Sequence, residues 1–307
     1  MPAIRKIRKV LKAKPTIEGA GVHLNRVFGF SELPLFDPFL LLDDFRSDTP
    51  AHYLKGFPWH PHRGIETITY VLKGDVEHGD SLGNKGTIGA GDVQWMTAGS
   101  GIIHQEMPKG DGDGKMYGFQ LWANLPSREK MMDPRYRDVG SKQIPQVKLF
   151  NDTTIRVISG EVSGTRGPVQ DIVIDPEYID VTVPANSEFR HPTKTGYTVF
   201  AYVIEGQGYF CREKDQDPFT YDVEGINYFD IRRDPFIDNG KIVLFDDGDE
   251  ITVSTEAHKV RFILISGKPL GEPVAWYGPI VMNTHDELRT AFEEYEQGTF
   301  IKYRGMP

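Results

Sequence analysis

Short stretches in which apolar and polar residues alternate run through most of the chain. In 117–124, Tyr, Phe and Leu occupy one face of an extended segment, while Gln, Trp and Asn occupy the other. The segments 67–72, 241–245 and 260–265 are further apolar runs rich in Val, Ile and Leu. The 32 glycines and 21 prolines separate such runs with turns. The pattern therefore predicts an all-β protein.

One helix is predicted near the C-terminus. Thr284 and Glu287 have the spacing of a capping box, and Gly298 is placed to end the helix. Between them, four apolar residues recur at helical spacing and predict a stripe that packs against a sheet: Leu288, Ala291, Phe292 and Tyr295.

A weak internal repeat predicts two similar domains. Tyr-Val-Leu-Lys-Gly at 70–74 resembles Tyr-Val-Ile-Glu-Gly at 202–206, and a Gly-Asp turn precedes another strand in each half. Two β-barrels in tandem fit the length of 307 residues. We expect a first barrel in 1–138 and a second barrel in 139–307 that also carries the helix, with the hinge within 133–145.

Charge and composition narrow the class of protein. The net charge is −9, from 44 acidic and 35 basic residues, which argues against direct binding of nucleic acid. The basic run 5–12 is interpreted as a solvated edge strand, with a partner-binding or anion-binding surface as the alternative. No apolar run reaches the roughly 18 residues of a membrane span, and no secretion signal is seen. A single cysteine, Cys211, favours a reducing compartment, so we expect a cytoplasmic protein.

Two pairs of metal-ligand residues stand out. His60 and His62 are two residues apart, as are His104 and Glu106 after a glycine-rich turn. In an extended chain, residues two apart share a face. If the two segments are neighbours, three imidazoles and a carboxylate can surround one transition-metal ion and leave open positions for a substrate.

Glu66 is open to two interpretations. It lies an even number of residues from His60 and His62, so in a continuous strand it shares their face and can act as a further ligand or general base. Alternatively, it accepts an imidazole N–H or packs within the strand, which we favour. The other histidines occur singly; among them, His78 next to Asp80 is placed to support a ligand.

Five segments resemble the pirin family of the cupin superfamily: 37–45, 60–67, 91–99, 101–107 and 278–284. The resemblance spans nearly the whole chain. It implies a bicupin, in which two cupin barrels of the jelly-roll, or double-stranded β-helix, type follow one another. It also implies one metal in the N-terminal barrel, held here by His60, His62, His104 and Glu106.

The resemblance implies an enzyme with quercetin 2,3-dioxygenase activity. A flavonol and O2 are then the partners, and the flavonol ring opens with loss of carbon monoxide. One divalent metal, with Fe(II) preferred over nickel, copper, manganese or zinc, acts as a Lewis acid for the flavonol 3-hydroxyl. Glu106 or Glu66 takes the hydroxyl proton.

The resemblance leaves two other functions open. One is a redox-sensitive regulatory protein that binds a transcription factor or a metabolic enzyme, and the other is a purely structural cupin. Four residues are available to line an apolar pocket or to fill the barrel core: Phe57, Trp95, Met96 and Trp122. In the second barrel the repeat places Pro192 and Lys194 opposite His60 and His62, which predicts that this barrel lacks a metal site.

Overall fold

The computed structural model describes residues 2–211 and 235–302. Within these residues the chain is mostly β-strand, with one α-helix and four single-turn 3₁₀ helices. No helix among them is long and apolar enough to cross a membrane. The prediction of an all-β bicupin with a short C-terminal helix is confirmed.

The strands and the helix have the following bounds. The first twelve strands are β1 Ile7–Lys12, β2 Lys14–Glu18, β3 Val22–Phe28, β4 Phe39–Asp44, β5 Phe57–His62, β6 Ile65–Lys73, β7 Asp75–Asp80, β8 Lys85–Ile88, β9 Val93–Thr97, β10 Ile102–Lys109, β11 Tyr117–Asn124 and β12 Arg135–Val139. The next seven are β13 Gln146–Lys148, β14 Thr154–Ser159, β15 Glu161–Val162, β16 Thr165–Arg166, β17 Glu177–Val183, β18 Glu188–Pro192 and β19 Thr198–Gly208. The last elements are β20 Ile237–Asp238, β21 Lys241–Phe245, β22 Glu250–Ser254, β23 Val260–Gly267, β24 Ala275–Tyr277, β25 Ile280–Met282 and the helix α1 His285–Glu296.

The chain forms two compact units, each of which contains one barrel. The first barrel contains residues 14–143 together with the C-terminal segment that begins at residue 270. The second barrel contains 1–13 and 144–269. Both units differ from the expected division at 138/139, because each barrel takes up one end of the chain. The expected hinge, 133–145, includes strand β12, which pairs with β9 as an edge strand of the first barrel.

The first barrel is built from two large antiparallel sheets. Seven strands run in the order β12-β9-β6-β11-β4-β3-β2, and four run in the order β5-β10-β7-β8. Apolar side chains such as Val71, Val76 and Met116 are buried in its core. The second strand of the four-stranded sheet, β10, lies between β5 and β7, and this pairing brings distant parts of the chain together.

The second barrel holds the basic run. Strand β1 is the outermost strand of the sheet β1-β21-β19-β23-β17-β14-β13. Ile7, Val10 and Leu11 are buried, Arg8 and Lys12 are exposed, and Lys9 is half-buried. The interpretation of the run as an edge strand is therefore confirmed for 7–12, whereas Arg5 precedes the strand and is buried, with its guanidinium hydrogen-bonded within the second barrel.

The C-terminal helix begins where the capping box predicted. Thr284 Oγ1 accepts a hydrogen bond from the Glu287 backbone N–H (3.2 Å), and Glu287 Oε2 accepts one from the Thr284 N–H (2.9 Å). Leu288 and Ala291 are buried in a cluster with strands β24 and β25 of the first barrel. Gly298 has φ +71°, a conformation that glycine adopts without strain, directly after the helix.

Candidate metal centre

Strands β5 and β10 bring the predicted histidines together. His60 lies directly opposite His104 in the antiparallel pair, and His62 lies opposite Ile102. His60 and His104 are therefore cross-strand neighbours, and His62 lies on the same face two residues along. The Nε2 atom of His60 is 3.0 Å from that of His62 and 3.0 Å from that of His104.

The hydrogen bonds of two rings determine which nitrogen is free. His60 Nδ1–H donates to the Pro58 carbonyl (2.8 Å), and His62 Nδ1–H donates to the Pro279 carbonyl (3.0 Å). In a neutral imidazole with its proton on Nδ1, the Nε2 atom carries a lone pair. Two lone pairs only 3.0 Å apart repel each other unless a cation lies between them.

Burial keeps these rings neutral. It lowers the pKa of His60, and it lowers the pKa values of His62 and His104 well below the ordinary imidazole value. A metal ligand must be deprotonated, so neutral imidazoles are already in the binding form. The three residues are a group whose ligand atoms all lie within 4.8 Å of one another, which fits a metal ion.

Glu106 lies next to this group. Its Oε2 atom is 4.0 Å from His104 Nε2, and its Oε1 atom accepts a hydrogen bond from Thr69 Oγ1 (2.9 Å). The Thr69 hydroxyl also lies 2.9 Å from the side-chain oxygen assigned to Gln120. The Gln120 side chain also hydrogen-bonds to Glu106, and this contact favours the ionised carboxylate. Burial raises the pKa of Glu106, which makes it a stronger base than an exposed carboxylate.

The C-terminal segment contributes to the same place. Pro279, which accepts from His62, lies just before β25, and the Val281 N–H donates to the Arg63 carbonyl (3.1 Å). The buried Arg63 guanidinium pairs with Glu294 on α1 (2.8 Å). Lys130 Nζ donates to the Val281 carbonyl (3.1 Å) and to the carbonyl of Gly64 (2.9 Å), which follows β5. Residues beyond 270 therefore help to fix the orientation of His62.

A cavity of 690 Å³ in the first barrel opens onto His60, His62 and Glu106. Trp122 packs edge-on against the His62 ring (centroids 5.1 Å apart), and Trp276 contacts Trp122 (5.8 Å). The other aromatic residues that line the cavity are Phe30, Phe45, Phe57, Trp59 and Tyr277. A cavity of this size, apolar apart from a few polar groups, is typical of small-molecule sites.

Glu66 has a different environment. Its carboxylate accepts hydrogen bonds from Thr97 Oγ1 (2.6 Å) and from Trp95 Nε1 (3.1 Å), both on β9. It is buried and is not among the described residues that line the cavity. Glu66 does not share the face of His60 and His62, because Gly64, with φ +78°, turns the chain between β5 and β6. These contacts support the interpretation that Glu66 packs within its strand.

Comparison with known proteins identifies the family. The sequence profile described as Pirin matches residues 21–123, and that described as Pirin C-terminal cupin domain matches 178–301. The chain belongs to the pirin family. It is 40% identical to a pirin-like protein of Caulobacter vibrioides over 97% of this chain and 99% of that protein.

Solved structures extend this likeness. The crystal structure of quercetin 2,3-dioxygenase from Acinetobacter baumannii shares 29% identity, with a TM-score of 0.83 over 97% of this chain and 99% of that one. The bacterial pirin YhhW from Escherichia coli, solved in complex with nickel(II), shares the fold at 21% identity, with a TM-score of 0.60 over 87% of this chain and 99% of that one. This pirin is therefore similar to a quercetin 2,3-dioxygenase and shares its fold with YhhW.

The sequence located part of the cavity and missed the rest. Of the four expected lining residues, Phe57 and Trp122 line it, whereas Trp95 and Met96 are buried in the barrel. Among the lining residues that were missed are Glu18, Arg26, Asp43, Gln120 and Trp276. A signal existed for Trp276, because it lies two residues before the segment 278–284 that resembles the family.

Proposed function

We propose that this pirin is a metal-dependent dioxygenase that opens the ring of flavonols such as quercetin. The observation that supports it most is the convergence of His60, His62 and His104, with Glu106 beside them, on an aromatic cavity. These four residues would hold one divalent metal, for which we propose Fe(II). A divalent metal there supplies the Lewis acidity that favours the deprotonated form of a substrate hydroxyl.

The chain's own residues orient the substrate and move its proton. Trp122 and Trp276 offer flat apolar surfaces to a planar ring system. Glu106 accepts the proton of the flavonol 3-hydroxyl, because its carboxylate lies beside His104 and lines the cavity. Thr69 holds the carboxylate in place during this transfer. Glu66 is bound by Trp95 and Thr97, so we assign the base to Glu106.

The test combines metal analysis with gas measurement on one sample. Elemental analysis of the purified protein should give one metal per chain, and quercetin should cause uptake of O2 and release of carbon monoxide. His62→Ala should lose both the metal and the gas exchange. His258→Ala is the matched control, because His258 is an exposed histidine of the second barrel. Metal without flavonol-dependent gas exchange would refute the dioxygenase.

A second candidate function is redox-dependent binding of a transcription factor or metabolic enzyme. Three large apolar side chains at the cavity are unusually exposed, at 65% for Phe30, 52% for Trp59 and 70% for Tyr277. Exposed apolar clusters are typical of protein-binding surfaces. This function predicts that a purified partner binds in one iron oxidation state and that Tyr277→Ala weakens that binding. Equal binding in both states would exclude it.

A further inference from the structure

A row of polar side chains crosses the face of the seven-stranded sheet in the first barrel. Thr69 on β6 lies opposite Gln120 on β11, and Gln120 lies opposite Asp43 on β4. Asp43 in turn lies opposite Arg26 on β3. Neighbouring strands are about 4.8 Å apart, so the row extends for about 14 Å. Glu106 is hydrogen-bonded to its Thr69 end.

Apolar side chains lie on both sides of this row. Leu41 and Trp122 form a cross-strand pair on one side, and Leu24 and Phe45 line the cavity on the other. A flat molecule that lies along the row therefore has polar groups beneath its long axis and apolar groups beneath its edges. Its two ends meet different chemistry, with the histidines at one end and Arg26 at the other.

Arg26 is fixed in position and retains donors. Its Nε and Nη2 atoms donate to the two carboxylate oxygens of Asp43 (2.9 and 2.8 Å), and Nη1 contacts Glu18 Oε1 (2.9 Å). A guanidinium has five N–H donors, so these three contacts leave two. The side chain of Glu18 is 42% exposed, and this contact engages one of its two oxygens. Arg26, Asp43 and Glu18 all line the cavity.

We propose that Glu18 and Arg26 recognise a phenolic hydroxyl on the pendant ring of the substrate, at the end of the polar row away from the histidines. The proposal rests on the proposed function, since it places the flavonol 3-hydroxyl at the histidine end. A phenol both donates and accepts, so it can accept from Arg26 and donate to Glu18 at once. Hydrogen bonds to charged groups are about twice as strong as neutral ones. The chain therefore selects flavonols that carry a hydroxyl on the pendant ring.

Three flavonols with the same 3-hydroxy-4-oxo end test this selection. Galangin, kaempferol and quercetin carry none, one and two hydroxyls on the pendant ring. Binding to the metal-loaded protein is measured without oxygen, by quenching of tryptophan fluorescence, because Trp59, Trp122 and Trp276 line the cavity. We expect a Kd for kaempferol about tenfold below that for galangin, as one charge-assisted hydrogen bond provides.

The variant Glu18→Ala removes the acceptor and leaves Arg26 bound to Asp43. We expect its preference for kaempferol to fall to about twofold or less, with the Kd for galangin unchanged. Glu77→Ala is the matched control, since Glu77 is a comparably exposed glutamate (49%) on strand β7, outside the cavity.

The outcomes separate this proposal from the dioxygenase itself. Equal affinity for all three flavonols, or a preference that survives in Glu18→Ala, overturns the recognition site even if the flavonols turn over. A preference lost in Glu18→Ala, without any oxygen uptake in air, supports the recognition site and refutes the dioxygenase. Failure of all three flavonols to bind overturns both.

Discussion

Replacing Lys130 by Met should remove a pH dependence from the stability of the first barrel. Lys130 is only 2% exposed, and its Nζ atom donates to the Gly64 carbonyl, to Asn124 Oδ1 and to the Val281 carbonyl (2.9, 2.6 and 3.1 Å). It thus connects the turn after the ligand strand to the C-terminal segment. Burial lowers the pKa of Lys130 to about 7.

The sign and size of the effect follow from that pKa. An unfolded lysine titrates near pH 10.4, so between about pH 7 and 10.4 the unfolded chain binds this proton more readily than the folded one. The destabilising effect of Lys130 is therefore complete below about pH 7 and decreases as the pH rises. With about 1.36 kcal/mol per pKa unit, the barrel gains about 2 kcal/mol between pH 7 and pH 9.

Urea unfolding followed by tryptophan fluorescence measures this gain in stability for the first barrel. All four tryptophans of the chain, at positions 59, 95, 122 and 276, belong to the first barrel. The free energy of unfolding of the wild type, minus that of Lys130→Met, should increase by about 2 kcal/mol from pH 7 to pH 9. Lys142→Met, at an exposed lysine of the same barrel, should show no such change.

Parallel curves for the wild type and Lys130→Met would refute the reasoning. They would mean that the ammonium stays protonated in the folded barrel. The three acceptor oxygens match the three N–H donors of an ammonium, so this is the competing effect. The experiment therefore decides between burial and hydrogen bonding as the dominant influence on this lysine.

Two further substitutions test contacts around the centre. Glu66→Gln should retain one metal per chain by elemental analysis but lose about 1–2 kcal/mol of stability, because a charged acceptor of two buried hydrogen bonds is removed; loss of the metal would instead make Glu66 part of the site. Glu294→Gln should lower the thermal unfolding midpoint of the first barrel, because the buried Arg63 guanidinium loses its anionic partner. The expected loss of unfolding free energy is about 2–3 kcal/mol. An unchanged midpoint would show that the Ser100 and Phe300 carbonyls suffice for Arg63.

Local patterns predicted the parts of the site that depend on short-range geometry. The spacing of His60 and His62 placed both rings on one face because strand side chains alternate, and β5 keeps a regular register with β10 from His60 to His62. The capping box located the start of α1 for a similar reason, since its two hydrogen bonds span three residues. Glu66 shows the limit of the argument, because one turn at Gly64 separates it from the strand of the ligands.

Contacts between distant segments could not be read from the sequence in this way. Arg26 and Asp43 meet through the register of β3 and β4, and the pattern of apolar residues does not determine which residues face each other across strands. Strand β1 reads equally well as an edge of either barrel, since its alternation does not specify a partner. The hydrogen bond from His62 to the Pro279 carbonyl joins residues that are 217 positions apart in the sequence.

In the described part of the second barrel, converging polar side chains are paired with one another. Its cavity of 680 Å³ is lined by Glu177 and Lys194 among others. His191 donates from Nε2 to Glu177 Oε1 (2.9 Å), and Lys194, which the repeat aligns with His62, pairs with Asp175. Each of these groups already has a partner of opposite character. His60 and His62 instead use Nδ1 for backbone carbonyls and direct their remaining lone pairs at each other, an arrangement that a cation stabilises.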